Sequence, residues 1–215
     1  MPPRRYNNRA KPTALPSETA RRQFLKRAAV FFDGSNWYHK LRTLLHADDS
    51  SGGGMKPPID FDLRGFAERL VSPDKLVDIR YYIGNVRRVR GNEKSEALYA
   101  NQQKLLRFLQ RQRIGVGYGH LIPYPDGVFH EKGVDVLLAV EMIRFAREDT
   151  YDVAYLISSD TDLVPAVKEC RRLGKQVVYV GSSVHGQSFG LTKTCGRTIL
   201  LQPKDVLPFV PPKLL

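Results

Sequence analysis

The sequence predicts a three-layer α/β fold with a mainly parallel central sheet. Short apolar runs at residues 28–32, 77–83, 154–157 and 176–180 read as strands. They alternate with longer segments whose apolar residues recur at helical spacing, the pattern of strand–helix–strand crossovers. Two of the strands end in acidic turns, Asp33-Gly34-Ser35-Asn36 and Ser158-Ser159-Asp160-Thr161-Asp162. Open α/β sheets carry their active groups just beyond the carboxyl ends of strands, so these turns mark where chemistry is expected.

Taken in order, residues 1–26 form an arm rich in Pro, Arg and Asn, expected to be flexible. The first strand follows at 28–32. Residues 36–46 have helical spacing, with Trp37, Leu41, Leu44 and Leu45 on one side. A Gly-rich loop at 48–54 runs into Pro57-Pro58. A helix is expected over 63–71, a strand within 75–83, and a basic loop carrying Arg87, Arg88, Arg90 and Lys94. Residues 95–112 give the clearest helix, with an apolar stripe of Leu98, Leu105, Leu106 and Leu109. A short strand at 115–121, an apolar helix at 134–147 and a central strand at 154–157 come next. A helix at 163–173 closes on Gly174 as C-cap, and the last strand is expected at 176–180. The domain is expected to span 27–204, with 205–215 an extended, proline-rich tail.

The chain has 215 residues and a formal net charge of +12, which favours an anionic partner, nucleic acid first. Much of the excess lies in the first 27 residues, where eight Lys and Arg face only Glu18. This arm reads equally as a solvated tail or as a grip on phosphates. Two cysteines, Cys170 and Cys195, are too few for a disulfide framework, so a reducing, cytoplasmic setting is expected. Arg21-Arg22-Gln23-Phe24-Leu25-Lys26 looks like a twin-arginine export signal, but the apolar run after it stops at Asp33 and reads as a core strand. No window has the roughly 18 apolar residues of a membrane span.

The acidic residues carry the chemistry. Asp33 ends the first strand, with Asn36 able to orient it; a helix cap is the competing reading. Asp160 and Asp162 sit in a turn where both can converge, and Asp162 precedes Leu163-Val164-Pro165, an early-helix pattern. Asp135 opens an otherwise apolar helix, where the helix dipole or a metal ion accounts for it. Glu141, six residues on, lies about 240° around the helix and cannot face the same ion squarely. Carboxylates gathered in one crevice need a neutralising cation or proton, and an all-carboxylate site suits Mg²⁺ or Mn²⁺. Such ions lower the pKa of water and shield the charge growing on a scissile phosphate.

Three segments, Val30-Phe31-Phe32-Asp33-Gly34-Ser35-Asn36, Lys132-Gly133-Val134-Asp135-Val136 and Ser158-Ser159-Asp160-Thr161-Asp162-Leu163-Val164-Pro165, together resemble the signature segments of NYN domains, the LabA-like branch of the PIN-like ribonucleases. The resemblance runs over residues 27–204. It implies a PIN-like fold and divalent-metal-dependent cleavage of RNA; cleavage is expected to be endonucleolytic, and in-line attack by a metal-activated water is expected to leave 5′-phosphate and 3′-hydroxyl ends. Asp33, Asp135, Asp160 and Asp162 match the family's acidic cluster, as catalytic and metal-binding residues, and Asn36 matches its polar companion. Ser159, Leu163 and Glu141 stand where the family often has Gly, Phe and Asp. Thr194-Cys195-Gly196 stands where relatives frequently carry Ala-Asp, which weakens any claim to a further acidic residue there.

Ser35, Arg87, Arg88, Arg90, Lys132, Ser159 and Thr161 are the candidate substrate contacts, and Tyr81, Tyr82, Tyr118 and Tyr124 are aromatics that either stack on bases or pack. The five histidines show no metal-ligand spacing. Nothing in the sequence separates RNA from DNA as the substrate, and assembly as a homodimer is left open. The alternative reading is a non-catalytic RNA-binding or scaffold protein that retains the fold. A haloacid-dehalogenase-type phosphatase is disfavoured because Ser35 stands where its second Asp belongs.

Overall fold

A strand that is apolar throughout is buried on both faces, and it belongs in the middle of a parallel sheet. β1 (Arg27–Asp33) occupies that place, with every residue from Ala28 to Asp33 buried. The computed structural model describes residues 25–46, 57–86, 88, 90–123, 129–184 and 186–212. On one side of β1 lie β2 (Lys75–Asn85), β3 (Gly115–Pro123) and β4 (Phe129–Lys132); on the other lie β5 (Val153–Ile157), β6 (Gln176–Ser182) and β7 (Arg197–Leu201). All neighbours pair in parallel except β3 and β4, which form an antiparallel edge. The chain therefore builds outward from β1 in one direction, then returns and builds outward in the other. The boundary between β1 and β5 is the switch point, where the carboxyl ends of strands open a crevice.

Alternate residues of β1 feed two separate cores, as the two-residue period of a strand requires. Ala28, Val30 and Phe32 pack with α1 (Gly34–Leu45), α2 (Leu63–Val71), α3 (Glu93–Arg111) and α7 (Pro203–Val206). Ala29 and Phe31 pack with α4 (Val134–Arg147), α5 (Val164–Arg172) and α6 (Phe189–Thr194). The first core is strongly aromatic: Trp37 stands 5.4 Å from Phe32 and 5.2 Å from Phe66, and Phe66 stands 5.7 Å from Phe209, ring centre to ring centre.

The expected order of elements matches from β1 to β6 apart from the inserted β4, and α2 and α4 have the predicted bounds. Gly174 adopts φ 80°, as its predicted capping role needs. Three expectations are corrected. The arm was drawn to end at residue 26, but Lys26 is already docked: its carbonyl accepts from the Lys75 amide at 2.8 Å and its Nζ donates to Gln176 at 3.0 Å. Residues 1–24 and 47–56, which include the expected arm and glycine loop, lie outside the described residues.

The expected extended tail instead folds back, with α7 followed by a 3-10 turn at Leu207–Phe209 and Val206 fully buried. Pro203 and Pro208 sit in first turns, where no amide donor is required, so they start these turns rather than prevent them. Finally, Leu98 of the predicted stripe remains 38% exposed, while Leu109 is fully buried. β4, α6 and β7 are additional to the predicted elements.

At the amino ends of the strands, the Arg27 guanidinium donates to Asp152 at 2.7 and 3.1 Å, and the Arg27 amide donates to the same carboxylate at 2.8 Å. This joins the starts of β1 and β5 and holds the Asp152 carboxyl down at about 2. A depressed carboxyl stabilises the fold above its unfolded value and loses that contribution as pH falls through its folded value. Both side chains are partly solvated, so the effect is discounted for screening. Asp152→Asn is expected to cost about 1 kcal/mol near neutral pH. In urea denaturation, the difference from wild type should fade between about pH 4 and pH 2.

Candidate metal centre

Asp33 is the last residue of β1 and the N-cap of α1. The strand turns into the helix at once, against β2. A Cβ on Gly34 would stand 2.6 Å from both the Tyr82 carbonyl oxygen and a Tyr81 ring carbon, so only glycine allows that approach. The Asp33 carboxylate is 6% exposed. Oδ1 accepts from the Asn36 amide at 3.1 Å; Oδ2 accepts from Asn36 Nδ2 at 2.6 Å and from Ser158 Oγ at 2.8 Å. The capping reading of Asp33 is therefore correct. The same carboxylate also ties the end of β1 to the residue that follows β5.

Beyond β5 the turn is organised by its own side chains. Ser158 is fully buried, and its Oγ accepts from the Asp160 amide at 3.1 Å. Asp160 caps a 3-10 turn, Thr161–Leu163, through Oδ1 accepting from the Asp162 amide at 2.9 Å. Either aspartate could cap by sequence, and the cap is Asp160, because the turn begins one residue after it. Asp162 is exposed at the outer rim.

Asp135 arrives from the opposite wall of the crevice. The β3–β4 edge brings the chain back, and Gly133, at φ 74° and ψ 11°, turns it into α4 in a left-handed conformation that favours glycine. Buried Val134 anchors the first turn, and Asp135 projects from it. One carboxylate oxygen from each of Asp135, Asp160 and Asp162 lies within 4.8 Å of the other two. Asp33 is not one of these three; its oxygens are engaged by Asn36 and Ser158. Among the described residues, none of the three converging carboxylates takes part in an ion pair. The α4 N-terminus offsets part of their repulsion, and a hard divalent cation, if bound, would offset more.

Sequence reading passed over Lys40. It is 5% exposed on α1, and its Nζ donates to Ser159 Oγ at 2.7 Å and Asn36 Oδ1 at 3.3 Å. Burial pushes the ammonium down from 10.5 to about 8, with the negative charge of Asp33 opposing. A signal for it was present: Asp33, Asn36 and Lys40 are spaced by three and four residues, which places them on one helical face. Asn36 Oδ1 also accepts from the Ser159 amide at 3.0 Å, so Asn36 links Asp33, Lys40 and the β5 turn.

The expected substrate contacts divide. Half-buried Ser159 has its Oγ engaged by Lys40, by Tyr179 at 3.1 Å and by the Gly186 carbonyl. Ser35, Thr161 and Lys132 are exposed at the crevice, with the Thr161 methyl turned toward Gly190. Arg88 and Arg90 are exposed after β2, Arg88 pairing with Glu96 at 3.4 Å. Arg87, Tyr124 and His185 lie outside the described residues. Glu141 is a structural partner: it accepts from Tyr82 Oη at 2.9 Å and from Arg144 at 3.0 Å. Tyr81 and Tyr82 are buried packing residues, and Cys195 is buried at the end of α6.

Lys40 yields a pH signature. A lysine whose folded pKa lies below its unfolded value binds a proton more readily when unfolded, so its contribution to stability rises as pH increases from about 8 to 10.5. The stability of wild type relative to Lys40→Met is expected to increase by about 2 kcal/mol between pH 7 and pH 10. Paired denaturant titrations of the two proteins would check this, and a pH-independent difference would contradict it.

No curated protein matches the sequence. A crystal structure of a protein of unknown function from Vibrio parahaemolyticus has the same fold: TM-score 0.57 at 16% identity, covering 89% of this chain and 99% of that one. The NYN domain model matches residues 27–202, the span from the first residue of β1 through the last residue of β7 and one beyond. That match takes in β1 with Asp33, the α4 start and the β5 turn, and the chain belongs to the NYN domain family.

Proposed function

We propose that this protein is a divalent-metal-dependent endoribonuclease. The observation that carries the reading is the convergence of Asp135, Asp160 and Asp162 at the carboxyl edge of a parallel sheet, in a chain that is otherwise strongly basic. Three unpaired carboxylates form a hard oxygen donor set, which fits Mg²⁺ or Mn²⁺. Asp33 completes the set in this proposal: a carboxylate has about four acceptor sites, and three of its own are used by Asn36 and Ser158. When bound, the metal supplies an acidified water and shields charge on the phosphate, the chemistry of phosphodiester hydrolysis with 5′-phosphate and 3′-hydroxyl products.

The chain's own residues fix the geometry. Asn36 and Ser158 hold Asp33, and Lys40 and Asn36 hold the Ser159 segment, so the β5 turn cannot drift from β1. Lys132, Arg88 and Arg90, all exposed, offer positive charge to the RNA backbone, and Ser35 and Thr161 offer rim hydroxyls. Residues 27–204 would form the nuclease body, with the basic arm adding contacts to phosphate. No helix among the described residues is long and apolar enough to cross a membrane. Both cysteines are free and buried, which fits the reducing cytoplasm.

Asp160→Asn and Asp33→Asn should each lower Mn²⁺-dependent cleavage of labelled single-stranded RNA by more than about 100-fold, the upper range for losing a group that merely orients a ligand. RNA binding should change little, and chelator should abolish cleavage by wild type. Equal activity in purified wild type and both variants would sink the nuclease assignment. Tight RNA binding without cleavage under any divalent ion would favour the scaffold alternative.

A further inference from the structure

α1 has a second working face. Asn36 and Lys40 point toward the β5 turn, whereas Trp37, Tyr38 and Leu41 line an open apolar pocket on the other side. The pocket measures about 790 Å³ and is completed by Ile83 of β2 and by Lys94 and Leu98 of α3. That volume lies within the range of small-molecule sites. We propose that it holds an unpaired base of the same nucleic acid strand that passes the aspartates. The proposal rests on the nuclease reading for the identity of the polyanion.

Apolar side chains left open to water need an occupant. Tyr38 and Leu98 are each 38% exposed at this pocket, although Leu98 belongs to a stripe whose spacing predicts burial. The charge at the rim indicates what the occupant carries. Lys94 lines the pocket, and exposed Arg88 and Arg90 follow directly after Val86, another lining residue. The Arg88–Glu96 pair is long at 3.4 Å and about half exposed, so it does little to neutralise Arg88, and Arg90 is exposed beside it. An apolar floor beneath a cationic rim matches a flat base attached to a phosphate chain.

Of the two amides that line the pocket, Asn101 is exposed at its edge and Gln102 is buried. Gln102 lines the pocket, but its amide is spent internally: Nε2 donates to the Gly84 carbonyl at 2.6 Å and Oε1 accepts from the Val86 amide at 2.9 Å. Stacking on aromatic and apolar side chains tolerates any base, because every base has a π face. A paired base is already stacked in its duplex, so the site selects single-stranded segments.

Trp37 is the only tryptophan in the chain and lines the pocket, so its emission reports occupancy. The experiment uses the full chain carrying Asp160→Asn, in chelator, to prevent cleavage. It is titrated with a single-stranded oligouridylate, an abasic oligomer of the same length, and oleate. Oligouridylate should quench Trp37 saturably, the abasic oligomer should not, and Leu98→Glu or Tyr38→Ala should weaken oligouridylate binding about 10-fold. Circular dichroism of both exposed-site variants confirms that they fold. Equal quenching by the abasic oligomer, or saturable quenching by oleate alone, would overturn the base site. If oligouridylate behaves as expected but wild type cleaves no RNA with any divalent ion, the base site stands and the nuclease reading falls. Cleavage without quenching overturns the base site alone.

Discussion

The buried carboxylate of Asp33 holds the crevice together. It sits where β1 ends, at the point where the sheet changes direction, and there the parallel strands leave a gap without ladder bonds to close it. Three hydrogen bonds to one carboxylate close that gap: two from Asn36 fix the start of α1, and one from Ser158 fixes the chain leaving β5. The β5 side of the site hangs on this arrangement, whereas Asp135 is placed independently by α4. Ser158 in turn receives the Asp160 amide, Asp160 receives the Asp162 amide, and so the exposed carboxylates inherit their positions from the buried one.

Burying a charge is costly unless it is compensated, and the compensation here is indirect. Lys40 is buried near Asp33 yet bonds to Asn36 and Ser159 rather than to the carboxylate. The ammonium therefore balances the negative region while Asp33 keeps one acceptor site to spare. The three outer aspartates have no cation among the described residues to balance them. A lysine buried beside the inner acid, with three outer acids close together, is an arrangement that could hold a metal ion, as the proposed function requires.

Helix α1 connects these features. Its polar residues Asn36 and Lys40 bond to the β5 turn and its aromatic residues line the pocket, so under the proposed function one strand of nucleic acid crossing α1 would meet both. The same helix is clamped from below by the Phe32, Trp37 and Phe66 cluster, which gives rigid support to both faces. Geometry that must be held within a fraction of an ångström is better set on such an element than on a loop.

Much of this was legible in the sequence. The central strands declare themselves by unbroken apolar runs, α4 by its length and spacing, and the three aspartate motifs by their position after strands or at a helix start. Edge elements were not legible: β4, β7 and the final turns are half exposed or short, and they draw their stability from partners distant in sequence. Lys40 was missed because a lysine in a helix reads as surface until the packing shows it enclosed. By itself, then, the sequence determined the alternation of strands and helices and which aspartates end at the sheet's carboxyl edge. Only the tertiary structure decided that Asp135, Asp160 and Asp162 converge while Asp33 stands behind them as a tie between strands. The reason is that spacing along one chain sets which way a local element faces, whereas distances between elements are set by how the two cores pack on the sheet.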